Sequence, residues 1–177
     1  MEQFDVLDEN GNKTGQIKPR DLVHRDGDWH KGVHIWILNS DNELLVQKRS
    51  PQKDSYPNQW DISSAGHVPA GENSIEGAIR EIKEELGIDT NKEDLKLLFT
   101  LKKKSVLKNG TFINNEFDDV YLAKLDFDIT KLILQTEEVS EVKLITVDDL
   151  EKVLLSKDST FVPHDEEYTR LIEYLRK

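Results

Sequence analysis

From Gly66 to Ile88 the chain reads GHVPAGENSIEGAIREIKEELGI. Helical residues turn by about 100° each, so Glu81, Glu84 and Glu85, spaced i, i+3, i+4, share one helix face. Ile75, Ala78, Ile79, Ile82 and Leu86 fall together on another, spaced as a buried stripe requires. Asn73 or Ser74 can cap the start, Glu76 stands where it completes a capping box with Asn73, and Gly87 suits the left-handed position that ends a helix. The spacing predicts a helix of roughly three to four turns, anchored by its apolar side. Three carboxylates held side by side repel one another, which raises their pKa values and costs stability unless a cation neutralises them. Hard oxygen ligands of this kind suit Mg²⁺ or Mn²⁺. Arg80 can offset part of the charge and hold one carboxylate through paired hydrogen bonds.

The 177 residues suffice for one domain with a real core, and no shift in composition marks a second, so a single domain over 1–177 is expected. There is no cysteine, which excludes disulfides, zinc–thiolate sites and cysteine nucleophiles. MEQFDVLDEN carries no basic region followed by an apolar stretch, and no apolar run approaches membrane-spanning length. A cytoplasmic protein without a membrane partner is expected. The formal charge of −11 disfavours nucleic acid, because nothing would replace counterions along a phosphate backbone. An anionic substrate would need metal ions as the bridge.

Outward from the signature, strands alternate with few helices. Phe4 to Leu7 and Gly15 to Ile17 flank the turn-rich ENGNKTG and form an N-terminal hairpin over about residues 1–18, whose strands could pair across a homodimer. Val33 to Leu38 and Leu44 to Lys48 flank NSDNE as a second hairpin, with His34, Trp36 and Leu38 on one face and Val33, Ile35 and Ile37 on the other. A loop from Ser50 to Gln59 leads to a strand at Trp60 to Ser63 and then to the signature. Leu95 to Val106 and Phe112 to Leu125 read as long strands joined at Lys108-Asn109-Gly110, followed by a strand at Val142 to Val147. Asp148 is the expected cap of a helix through Leu155, and His164 to Arg176 is a second amphipathic helix.

Gly66, Glu72, Arg80, Glu81, Ile82, Glu84, Glu85, Gly87 and Ile88 together match G-x5-E-x7-R-E-U-x-E-E-x-G-U, where U is aliphatic, with no departure. This is the Nudix signature, and the chain resembles the Nudix hydrolases. The resemblance implies an α/β fold, an α/β/α sandwich with a mixed β-sheet and a loop-helix-loop signature. It implies Glu81, Glu84 and Glu85 as metal-binding carboxylates, the Gly66 carbonyl as a further ligand, Glu81 or a glutamate outside the box as the base, and Arg80 as the group that orients Glu81. The reaction implied is attack of water on a diphosphate linkage in a small molecule, such as a nucleoside diphosphate derivative.

FDVLDENGNKTGQ, HRDGDWHKGVHIWILNSDNELLVQKRS and YPNQWDISSAGHVPAGE are similar to the type I isopentenyl diphosphate isomerase branch of the same superfamily. In that branch three histidines and two glutamates hold a metal, and a cysteine before the Gly-His pair helps to move a proton. By that likeness His24, His30 and His67 fall near the histidine positions, Glu116 matches the glutamate that binds metal and assists protonation, and Arg49 and Lys53 match residues that hold the diphosphate. The cysteine position is Ala65 and the other glutamate is Asn114. Alanine can neither donate nor accept a proton, so the reading is an isomerase-like scaffold used for hydrolysis, with isomerase and non-catalytic nucleotide sensor as alternatives. His164, in FVPH, lies near where those isomerases carry a tryptophan.

Each secondary residue has a plainer reading. His24 and His30 lie in what reads as a polar loop and could be surface histidines. His34 opens an apolar strand and is read as core or rim. His67 adjoins Gly66, where substrate must approach, and is read as substrate-binding. Lys102, Lys103, Lys104 and Lys108 read as a charged strand face. Trp29, Trp36 and Trp60 could stack a base, or simply be buried.

Overall fold

The structure, a computed structural model, describes residues 2–53 and 55–177, with the backbone alone of Leu107 and Lys108. Among the described residues nine strands form one mixed sheet. β1 (Gln3–Leu7) and β2 (Lys13–Pro19) pair as the expected N-terminal hairpin. α1 (Arg20–Asp26) leads into β3 (Trp29–Leu38), the strand around which the sheet is organised. β3 pairs antiparallel with β4 (Glu43–Arg49) and β6 (Ser64–His67) and parallel with β8 (Phe112–Lys124). β7 (Leu95–Leu107) runs antiparallel along β8, while β5 (Trp60–Asp61) and β9 (Val139–Thr146) extend β4.

Alternation along β3 sets the layers. Val33, Ile35 and Ile37 face Ala78, Ile82 and Leu86 of α2 (Ser74–Leu86), whereas Trp36 and Leu38 face Leu150 of α3 (Val147–Ser156) and Tyr168, Leu171 and Ile172 of α4 (Asp165–Leu175). This is the expected α/β/α sandwich, and the split of β3 between its faces is the expected one. α2 begins with the Asn73–Glu76 capping box, the Glu76 N–H donating to Asn73 Oδ1 at 3.1 Å and the Asn73 N–H to Glu76 Oε2 at 3.2 Å. It ends at Gly87 with φ +72°, where a Cβ would stand 2.8 Å from that of Ile133, so only glycine fits. The turn between β7 and β8 uses Asn109 at φ 55° and Gly110 at φ 91°. No helix among the described residues is long and apolar enough to cross a membrane.

Four local expectations are corrected. The polar loop expected around His24 and His30 is α1 followed by the first residues of β3, which starts at Trp29 instead of Val33 because its ladder with β8 begins at the Trp29–Asn115 pair. α1 buries only Val23 and His24, too little to write a helical stripe. The strand expected at Trp60 to Ser63 is only β5, Trp60–Asp61, on β4, and a further strand, β6, starts at Ser64, pairs with β3 and carries the chain into the signature. α3 is capped by Thr146, whose Oγ1 accepts the Asp149 N–H at 3.1 Å, so Asp148 lies inside the first turn and not at the cap.

Candidate active site

The pairing of β6 with β3 places Gly66 opposite Val33, on the face that α2 covers. A Cβ on Gly66 would stand 2.1 Å from the Glu81 carboxyl carbon, so the missing side chain is what lets Glu81 rest on the strand. Arg80 gathers the acidic side chains around this contact. Its Nη1 donates to Glu81 Oε1 at 2.7 Å and Glu84 Oε2 at 3.1 Å, its Nη2 to the His67 carbonyl at 2.9 Å, and its Nε and Nη2 to both oxygens of Glu72 at 3.2 to 3.4 Å. The paired bonds expected between Arg80 and a metal-site carboxylate thus go to Glu72, which sequence reasoning left without a role although it is an invariant of the motif pattern. Gly66→Ala is expected to keep the fold but push Glu81 aside, lowering turnover by about 100-fold, the effect of misplacing a reacting group by ~1 Å, as kcat/KM would read.

The three carboxylates differ more than their shared helix face suggests. Glu84 is half exposed and, among the described residues, pairs with Arg80 alone. Glu85 is buried, accepting from Ser64 Oγ at 2.6 Å, the Ala65 N–H at 3.2 Å and Gln47 Nε2 at 3.4 Å. Burial pushes the Glu85 carboxyl up to about 8, against the bond from Ser64 and with the added charge of Glu81. Burial likewise pushes Glu81 up to about 7, against Arg80 and with the charges of Glu84 and Glu2. Oxygen donors this short of positive charge fit a hard divalent cation.

On the other face of β6, a second group of ligands converges. His24, His30 and His67 offer ring nitrogens that all lie within 4.8 Å of one another. His24 and His30 are buried, which overturns the surface reading. The Nδ1 of His24 faces the Ile113 carbonyl at 3.3 Å and that of His30 the Asp28 carbonyl at 3.2 Å, so each ring donates there and turns its Nε2 inward. Neither Nε2 has a hydrogen-bond partner. Glu116 Oε1 stands 3.4 Å from the Nε2 of His30 and 3.1 Å from that of His67. Three imidazoles and a carboxylate converging in this way form a donor set that fits a divalent ion that accepts imidazole. Burial, with His30 and His67 close by, pushes His24 down to about 4. Phe4 stacks on His30 at 5.1 Å and on His67 at 4.9 Å, and Phe112 on His24 at 4.1 Å, which fixes the rings. Asn114 donates from Nδ2 to Glu116 Oε2.

Other sequence candidates fall elsewhere. Arg49 donates from Nη1 to Asp61 at 2.9 Å and from Nε to the Ser55 carbonyl at 2.9 Å, and Lys53 pairs with Glu138. Asp54 and the Lys108 side chain lie outside the described residues. Trp36 is fully buried and Trp29 packs on Phe117, ring centres 5.0 Å apart, so neither is a stacking surface for a base. Of the lysine run, Lys102 and Lys104 lie over the Trp29 ring as strand-face residues, but Lys103 turns inward to Glu167 and Asp118. That inward turn, and the cluster of His34, His164, Glu167 and Asp118 around it, was not anticipated. The period of two from buried Leu101 to Lys103 is the sequence signal that could have found it.

The sequence profile described as the NUDIX domain matches residues 28–170. The chain belongs to the NUDIX domain family. It is 45% identical over 181 residues to "Nudix hydrolase 3" of Arabidopsis thaliana, covering 99% of this chain but 23% of that protein's length. An uncharacterized Nudix hydrolase of Listeria innocua is 35% identical over 164 residues, 93% of this chain and 90% of that one. The isopentenyl-diphosphate Delta-isomerase of Pectobacterium atrosepticum is 28% identical over 156 residues, 88% and 83% of the two chains, which makes this an isomerase-like member of the superfamily. The crystal structure of DR0079 from Deinococcus radiodurans shares the fold with a TM-score of 0.72 at 24% identity, covering 96% of this chain and 98% of that one.

Proposed function

We propose that the protein is a Mg²⁺- or Mn²⁺-dependent hydrolase that cleaves a diphosphate linkage in a small molecule, such as a nucleoside diphosphate derivative. The observation that carries this reading is the carboxylate array of Glu81, Glu84 and Glu85, assembled by Arg80 around Gly66. Glu81, Glu84, Glu85 and the Gly66 carbonyl would hold the divalent ions, with Glu116, His24, His30 and His67 as a further set. Bound there, divalent ions neutralise the diphosphate and lower the pKa of the attacking water. Glu81, with one oxygen fixed by Arg80, is oriented to take the proton from that water through the other. Arg80 is itself held by Glu72 and the His67 carbonyl, so it positions Glu81 without leaving the site. Arg49 and Lys53 would approach the phosphates only by exchanging Asp61 and Glu138 for them. A substrate panel with Mg²⁺ and Mn²⁺, scored separately for orthophosphate and nucleotide products, tests the reading, and inactivity on every diphosphate counts against it.

Thermal stability offers a check without substrate. Glu81 and Glu85 have folded-state pKa values above those of the unfolded chain, so in the metal-free protein they cost stability increasingly as pH rises from about 4 toward 8. A divalent cation removes that cost and binds the folded state alone. Mg²⁺ is therefore expected to raise Tm, and by more at pH 8 than at pH 6; an equal or absent shift at the two pH values speaks against carboxylate ligation.

The histidine cluster with Glu116 favours a second reading, isopentenyl diphosphate isomerase. Against it, Ala65 offers no proton and Asn114 no second carboxylate. Incubation with isopentenyl diphosphate is expected to yield no dimethylallyl diphosphate, and its appearance would revive the isomerase.

A further inference from the structure

His34, Lys103, Asp118, His164 and Glu167 form a charged cluster, Asp118 and Glu167 buried and the other three half-buried, on the sheet face that also carries His30 and His67, with Ala65, opposite His34 in the ladder, between it and the histidine site. The Lys103 ammonium stands 3.3 Å from Glu167 Oε2, 3.4 Å from Asp118 Oδ2 and 3.4 Å from His164 Nδ1. His34 Nδ1 bonds Glu167 Oε2 at 2.8 Å, and Trp36 Nε1 donates to Glu167 Oε1 at 2.9 Å. Stability alone does not call for such a group, since apolar replacement of a buried ion network is often neutral or favourable.

Three ligand atoms of His34, His164 and Glu167 lie within 4.8 Å of one another, the spacing of a metal site. Lys103 already stands among them, and a second cation there would be repelled. What is unsatisfied is Asp118. It is 1% exposed, its Oδ2 has no hydrogen bond, and its nearest cations stand off at 3.4 Å (Lys103) and 3.7 Å (His34), beyond charge-assisted bonding distance. Its Oδ1 rests on Gly32, where a Cβ would be 2.2 Å away, so the carboxylate is held in place from behind. The cluster therefore presents one free acceptor flanked by donors. A hydroxyl, which both donates and accepts, completes that arrangement, whereas an alkyl chain would leave the Asp118 oxygen desolvated without a hydrogen bond.

We propose that this cluster is the pocket for the organic half of the diphosphate substrate and that it takes a polyhydroxylated group such as a sugar, not an isoprenoid chain. The inference rests on the hydrolase reading above. Two diphosphates of five carbons, ribose 5-diphosphate and n-pentyl diphosphate, test it by hydrolysis with Mg²⁺ and, separately, by calorimetric binding with Ca²⁺ in its place. A site built for hydroxyl groups rejects the analogue lacking them by large factors, so ribose 5-diphosphate is expected to be preferred at least 100-fold in both assays. Asp118→Asn and Lys103→Met, each checked for an intact fold, should each cut that preference at least tenfold, through KM and not kcat. A preference below 100-fold, binding of neither compound, or a preference untouched in both variants overturns the pocket. Binding preference without hydrolysis overturns the hydrolase reading and leaves the pocket standing.

Discussion

Glu84→Gln is expected to lower kcat/KM with Mg²⁺ by about 10³-fold, the several kcal/mol by which a metal ligand stabilises transition-state charge, while leaving the fold unchanged. Glu84 is the cleanest test among the carboxylates because its side chain is 51% exposed and its ion pair with Arg80, at 3.1 Å, is of the surface kind that contributes little to stability. The amide keeps the shape and removes the charge. Glu85→Gln lies deeper, where the Ser64 hydroxyl and the Ala65 amide meet its carboxylate, so its effect on turnover is entangled with strand packing. Undiminished turnover in Glu84→Gln, with an unchanged Tm, would remove the box from the mechanism.

Glu167→Ala should be the most destabilising of the single changes considered, by about 3–5 kcal/mol, or roughly 10 °C in Tm for a chain of this size. Glu167 is fully buried and takes hydrogen bonds from His34 and Trp36 together with the charge of Lys103. Its removal leaves an indole N–H unpaired and two cationic groups short of a counter-charge. Burial works to raise the Glu167 pKa, but His34, His164 and Lys103 together hold it well below the usual carboxylate range. A carboxylate with a depressed folded-state pKa contributes stability above its unfolded value, near 4, and loses it as pH falls further. The gap between the two proteins should thus be full at pH 7 and narrow below about pH 4. A Tm within 2 °C of the original at pH 7, measured by calorimetry, would contradict this role.

The signature helix was legible because its information is local. Caps, apolar stripe and acidic face all recur within one stretch, and the structure reproduces its bounds, its capping box and its glycine stop. The faces of β3 were legible for the same reason. What escaped depends on register between distant strands. His34 meets Glu167 across 133 positions, and Asp118 lies beside Gly32 only because β8 runs parallel to β3. His24 was misplaced because α1 is a seven-residue helix with two buried positions, below the length at which a helical period becomes visible, and His30 because β3 starts ahead of its apolar run, where pairing with distant β8 sets its beginning. Glu84 and Glu85 share a helix face, yet the neighbouring Ser64 and Gln47 bury one and not the other. No pattern within the helix records that difference.

Water is the nucleophile in the proposed reaction, so the most direct measurement follows an oxygen atom. Hydrolysis of the best substrate from the panel in ¹⁸O-water with Mg²⁺, analysed by mass spectrometry, should place one solvent oxygen in a phosphoryl product at each turnover, and removing the metal with a chelator should stop the reaction. Turnover without solvent oxygen in any phosphoryl product, or turnover undiminished by the chelator, would contradict metal-dependent diphosphate hydrolysis at the Gly66 to Ile88 site.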